Sequence, residues 1–119
     1  MCGRYVLASG GDAVQAAFGL AERPLLTPRY NIAPSQPVPV ILRRAADTAP
    51  ELVTLQWGLV PGWAHGEAAA RRPINARAET VSERPMFRQA FRRRRCLVPA
   101  DGWYEWSVTA YGKQPWYLQ

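Results

Sequence analysis

The chain has 119 residues, 48% hydrophobic and 20% charged, which is the composition of one soluble globular domain with its own core. No apolar run approaches the roughly 20 residues of a membrane span, and polar Ser9-Gly10-Gly11 soon follows Arg4, so neither a membrane segment nor a signal peptide is expected and the cytoplasm is the default location. A net charge of +6, from 15 basic and 9 acidic residues, favours an anionic partner, nucleic acid first.

Cys2 to Ala8 reads as a short strand. Ser9-Gly10-Gly11-Asp12 is a turn with helix-capping residues, and Ala13 to Leu20 a short helix with Val14, Ala17 and Phe18 on one face. Glu22 to Pro28 is a linker. Prolines 28 and 34 bracket Arg29-Tyr30-Asn31-Ile32-Ala33 and force an extended, stiff segment. Pro37 to Arg43 reads as an edge strand because of Pro37 and Pro39. A turn over Ala45 to Pro50 joins it to a strand from Glu51 to Val60, giving a hairpin.

Pro61-Gly62-Trp63 is a turn and Ala64 to Arg72 a loop or short helix. In Ile74-Asn75-Ala76-Arg77-Ala78-Glu79 the polar residues alternate with apolar ones, which predicts an extended segment with one polar face. Ser82 and Glu83 can cap a helix from Pro85 to about Arg92 that turns Met86, Phe87, Ala90 and Phe91 toward the core. Four arginines, Arg92 to Arg95, follow. They either complement the helix dipole or contact phosphate. Arg95 to Pro99 is a strand in which Cys96 is buried. After a turn at Ala100-Asp101-Gly102, Trp103 and Glu105 share one strand face, Tyr104 and Trp106 the other. Ala110 to Lys113 is a hairpin turn, and Gln114 to Gln119 begins a strand that the chain leaves unfinished.

Two cysteines, Cys2 and Cys96, and one histidine, His65, build neither a Cys/His zinc site nor a disulfide framework, so no metal or other cofactor is expected. Thirteen aromatic residues on a basic chain suit a single-strand binder, where bases stack on rings, and equally a small β-rich core.

Four residues could carry chemistry. A cysteine directly after Met1 permits methionine removal, and Cys2 would then carry a free α-amine and a thiol on one framework. An α-amine ordinarily titrates at roughly 7.7–8.0, so part of it is the neutral nucleophile at pH 7. Such an aminothiol is matched to an aldehyde. The amine forms a Schiff base and the thiol closes a thiazolidine, a ring closure favoured by proximity. Asn75 can donate and accept hydrogen bonds and orient a carbonyl or amine. Arg77, facing the same way, can hold a phosphate bidentately or pair with Glu79. Glu105, set between two tryptophans, suits general acid–base work or is an exposed strand residue. Other readings of Cys2 remain open: a small apolar residue in the first strand, or the nucleophile of an N-terminal-nucleophile hydrolase acting on amides. A non-catalytic, basic single-stranded nucleic-acid-binding module is a further alternative.

Five blocks occur in order across residues 1–107: Met1-Cys2-Gly3-Arg4-Tyr5, Arg29 to Pro34, Trp57-Gly58-Leu59-Val60-Pro61-Gly62-Trp63, Ile74 to Thr80, and Ala100-Asp101-Gly102-Trp103-Tyr104-Glu105-Trp106. In this the chain strongly resembles the SOS response-associated peptidase family, the SRAP domain of abasic-site processing proteins. The resemblance implies a single α+β domain over 1–119 on a curved, mostly antiparallel, barrel-like sheet with short helices. It implies a monomeric sensor of abasic sites in single-stranded DNA, nucleoid-associated if the source is prokaryotic. Cys2, exposed by Met1 removal, would form a thiazolidine with the ring-opened sugar, with autoproteolytic and abasic-site lyase activities alongside. Asn75 matches the asparagine that positions the aldehyde and the amine, and Glu105 the acid–base. Arg4 and Arg77 match basic residues near the DNA backbone. Trp106 and Met86 match an apolar wedge against flanking bases. The family's downstream histidine has no counterpart here. His65 does not match it and reads as a loop residue, so the domain is expected to be incomplete at its C-terminus.

Overall fold

A computed structural model describes residues 2–67 and 72–119. Tyr5-Val6-Leu7 is a short run of β-favouring side chains, and all three are buried in strand β1 (Tyr5–Leu7). One sheet is assembled on it in the order β2-β1-β5-β6, every pair antiparallel, with β2 at Arg29–Ile32, β5 at Gly102–Thr109 and β6 at Gly112–Leu118. Tyr5 pairs with Ile32 on one side and Trp103 on the other. The β1–β2 register shifts between Tyr5 and Leu7, an irregularity of the kind that bends a strand and curves its sheet.

The second sheet is the hairpin of β3 (Pro37–Leu42) and β4 (Glu51–Gln56), paired without a break from Pro37–Gln56 to Leu42–Glu51. Ile41 points its N–H away from β4, donating to Leu97 at 2.8 Å. Pro37 and Pro39 share that direction by alternation. Their missing donors therefore fall on the free side and cost the hairpin ladder nothing, as expected for an edge. The sheets are open among the described residues, β2 and β6 being the edges of the first.

Helix α1 (Gly11–Phe18) lies two residues earlier than its pattern predicts. It ends at Gly19, left-handed at φ 63°, with the Leu20 N–H closing on the Gln15 carbonyl at 3.1 Å. Val14 and Leu20 are buried, but Ala17 is exposed. Neither expected cap serves it: Ser9 is bonded to Asp101, and Asp12 pairs with Arg23. The core is Tyr5, Leu7, Val14, Leu20, Ile32, Val38, Val40 and Ile41.

Three expectations fail after residue 72. The alternating stretch from Ile74 joins no ladder, and its extended course stops at Arg77, whose carbonyl accepts the Thr80 N–H at 3.2 Å and opens a run of turns. Helix α2 spans only Arg88–Arg93, with no side-chain cap, so Ser82 and Glu83 do not start it. The strand at Arg95 to Pro99 is reduced to one bridge, Leu97 to Ile41, and Cys96 is exposed instead of buried. Of the Ala64 to Arg72 stretch, residues 68–71 lie outside the described residues, as does Met1.

Candidate active site

The site is built outward from Trp57, which follows β4. Its backbone N–H donates to the Gln36 carbonyl and its own carbonyl accepts the Ser35 N–H, both at 3.0 Å, so the indole is fixed at the root of the β3–β4 hairpin. On one side the ring meets Tyr5 edge-on, with centroids 5.6 Å apart. On the other its Nε1–H donates to the Ile74 carbonyl at 3.1 Å. The Leu59 N–H takes the Pro73 carbonyl at 3.0 Å. These two bonds hold a segment that has no sheet partner of its own.

The next residue, Asn75, is half-buried and donates from Nδ2 to the Cys2 backbone carbonyl at 2.8 Å. Cys2 is half-buried, with its thiol 3.7 Å from the Arg4 carbonyl. It opens on a cavity of about 540 Å³ whose walls include Tyr5, Val40, Trp57, Arg94, Cys96 and Trp103. Tyr5 is 5% exposed and its hydroxyl has no hydrogen-bond partner among the described residues. Burial pushes the phenol above its ordinary value, against the opposing charge of Arg29. Cys96, the other thiol on this wall, is pushed up by desolvation although much of the residue is exposed. A raised thiol pKa means less thiolate at neutral pH.

Arg4 and Glu105 lie at the β1–β5 junction. The Tyr104 N–H donates to the Arg4 carbonyl at 2.9 Å, one step beyond the Tyr5–Trp103 pair. Glu105 is the next residue of β5 after Tyr104. Glu105 is half-buried and pairs with Trp116. The Arg4 Nε is buried without a hydrogen-bond partner among the described residues. Trp106, 40% exposed, lies opposite Pro115. Arg77 is exposed, two residues past Asn75. Met86 lines a separate depression with Arg72, Pro73, Arg84 and Phe87, so it is not gathered to Cys2. His65 is exposed in a loop.

Asp101 was legible only as a turn residue. Its carboxylate accepts the Ala8 N–H at 2.5 Å, the Ser9 N–H at 2.8 Å and the Ser9 hydroxyl at 2.5 Å. Those bonds, the Ser9 hydroxyl first, hold it below the usual carboxylate range, against a smaller opposing effect of burial. It ties the start of β5 to the end of β1, and so sets the register that carries Glu105. Gln36 was also missed: its Oε1 accepts from Arg29 at 2.5 Å and from the Ala33 N–H at 3.2 Å, folding the Arg29 to Pro34 block around one amide. Both partnerships span loops, and no local pattern announces them. Among the described residues no cluster of His, Cys, Asp and Glu could hold a metal, and no helix is long and apolar enough to cross a membrane.

A family model described as SOS response associated peptidase (SRAP) matches residues 1–119. The abasic site processing protein YoaM of Bacillus subtilis is 40% identical over 110 residues, covering 90% of this chain and 48% of the relative. The abasic site processing protein HMCES of Xenopus tropicalis is 33% identical over 101 residues, covering 76% and 30%. Among solved structures, a phage-related protein from Bordetella bronchiseptica superposes with a TM-score of 0.77 at 34% identity, covering 98% of this chain and 54% of that one. A protein from Bacteroides thetaiotaomicron gives 0.81 at 27% identity, covering 98% and 53%. The chain thus spans about half the length of these Bacillus and crystallographic relatives.

Proposed function

Because the chain belongs to the SOS response associated peptidase family, we propose that it senses abasic sites in single-stranded DNA and captures them covalently through Cys2 once Met1 is removed. The relatives' names supply the abasic site. The observation that carries the mechanism is the 2.8 Å bond from Asn75 to the Cys2 carbonyl, which gives the N-terminal residue a fixed place.

The chemistry follows from the residue types. An abasic sugar opens to an aldehyde. The Cys2 amine adds to its carbon and gives a carbinolamine, which loses water to become an imine. The thiol then adds to the same carbon, its proton passing to nitrogen, and a five-membered thiazolidine closes with one water released overall. Glu105 is the acid–base: it protonates the departing hydroxyl and takes a proton back on reversal. Asn75 orients the N-terminal residue and the aldehyde. Before ring closure the imine also acidifies the neighbouring sugar carbon, which is the route to strand cleavage as a lyase. Autoproteolytic removal of what precedes Cys2 would expose the amine. Arg4 and Arg77 hold the phosphates, and Trp106 and Met86 wedge against flanking bases.

The test is a denaturing gel after incubation with single-stranded abasic DNA. The mature chain gives a shifted band. Cys2→Ala gives no stable band, and neither does protein that keeps Met1, because its Cys2 nitrogen is then an amide. A stable band from Cys2→Ala, or none from the mature chain, sinks the reading.

A further inference from the structure

Most of the wall around Cys2 is not used by abasic capture. An abasic site has lost its base, and what remains of the nucleotide is a short polar sugar between phosphates. Groups of that kind need hydrogen-bond partners when they leave water. The cavity on which Cys2 opens offers few. Val38 and Val40 line it and are buried, and Leu55 and Val98 line it while about half exposed, at 46% and 50%. Trp57 adds an indole whose one donor is already spent on the Ile74 carbonyl. Besides the two thiols, the polar side chains on these walls are Tyr5, Gln56 and Arg94, and among the described residues no carboxylate lines the cavity. Its volume of about 540 Å³ lies in the range of small-molecule sites, about 300–1,000 Å³.

We propose that this cavity holds the tail of a small apolar aldehyde, an alkanal of medium chain length, while Cys2 captures its carbonyl carbon. The inference rests on the aminothiol reading of Cys2 given above and extends it to a second class of substrate. The nucleophile selects the aldehyde, and the walls select what is attached to it. The half-buried Cys2 and the apolar side chains belong to one cavity, so a single molecule can meet both. The covalent step balances as it does for the sugar. C–N and C–S bonds form at the aldehyde carbon, the carbonyl oxygen leaves as water with the two amine hydrogens, and the thiol proton passes to nitrogen. Burying the tail adds a favourable contribution for each methylene removed from water. A sugar aldehyde gains nothing from the same walls.

The experiment incubates the mature chain with acetaldehyde, butanal, hexanal and octanal, and with glyceraldehyde as a polar comparison. A free tetrapeptide of residues 2–5 supplies the same aminothiol without the cavity. Intact-mass spectrometry reads the adduct, the aldehyde's mass less one water, and Cys2→Ala sets the background from other amines. The protein-to-peptide ratio of apparent affinities rises about two- to fourfold per methylene until the tail outgrows the walls. Glyceraldehyde stays with acetaldehyde. Leu55→Gln and Val98→Gln each lower the octanal-to-acetaldehyde ratio about threefold. Both positions are half-exposed, so a polar side chain is tolerated there, and acetaldehyde is the internal reference for each variant. A ratio independent of chain length, in a chain that captures acetaldehyde and abasic DNA, overturns the proposal and leaves the abasic reading standing. A rise that both variants leave intact also overturns it, because the tail is then bound elsewhere. A chain inert toward abasic DNA and acetaldehyde alike sinks the abasic reading, and this inference with it.

Discussion

Asn75 reaches 73 positions back along the chain to hold Cys2 by its backbone carbonyl, so at that contact its amide must donate. A donor can be removed in two ways that differ in sign. Asn75→Ala loses the bond, and Asn75→Asp sets an acceptor against an acceptor. If the bond places the amine for attack, cross-linking slows about tenfold in the alanine variant, the scale of a hydrogen bond of roughly 1–1.5 kcal/mol. It slows further in the aspartate variant. Gel time courses on one abasic oligonucleotide measure both, and an aspartate variant as fast as wild type removes Asn75 from the mechanism. Cys2, Asn75 and Glu105 were legible as candidates because their chemistry is carried by residue type. The contact between Asn75 and Cys2 was not, since it depends on Trp57 holding Ile74, which has no local signature.

Strands β1 and β5 meet over few residues, and the join is reinforced from outside the ladder. Asp101 supplies three accepted bonds to Ala8 and Ser9. Because the folded state holds its carboxyl below the usual value, the bonded carboxylate stabilises the fold above the unfolded pKa of about 3.9. That contribution disappears as pH falls through the lower folded value. In denaturant titrations from pH 7 down to pH 3, wild type loses stability at the acid end, whereas Asp101→Asn is weaker at pH 7 and shows a flatter profile. An unchanged acid slope in Asp101→Asn shows that other groups drive the loss.

The next residue is constrained by space. A methyl group on Gly102 would lie 2.4 Å from the Leu118 carbonyl oxygen and 2.6 Å from the Tyr117 ring. Gly102→Ala is therefore expected to cost about 1–3 kcal/mol by forcing β6 away, read as a lower midpoint in the same titrations. Hairpins were the most legible elements, because a period of two between turn residues is local information. The stretch from Ile74 carried the same period without forming a strand, since no neighbour offers it a ladder. Asn75 is half-buried and Arg77 exposed, so the two do not share the single polar face that alternation predicts, because the chain turns at Arg77.

At the scale of the whole molecule, charge and shape act together. The radius of gyration is 16.1 Å, against about 13–14 Å for a compact domain of this length. The excess reflects an open arrangement in which Trp103, Trp106 and Trp116 stay 40%, 40% and 57% exposed, Trp103 lining the cavity at Cys2. The sequence announced the aromatic and basic composition but not which rings would remain uncovered, because burial depends on what packs against a sheet face. A chain with net charge +6 and exposed rings should bind single strands mainly through phosphates, with bases stacking whatever their identity. Arg77, exposed and two residues from Asn75, tests that at one position. If it grips a phosphate, Arg77→Ala lowers the salt slope by about 0.7 and weakens oligothymidylate, oligoadenylate and mixed strands by the same factor. Anisotropy across the three strands and four salt concentrations reads both quantities. A loss confined to one base composition would make Arg77 a base reader and overturn a backbone role for it.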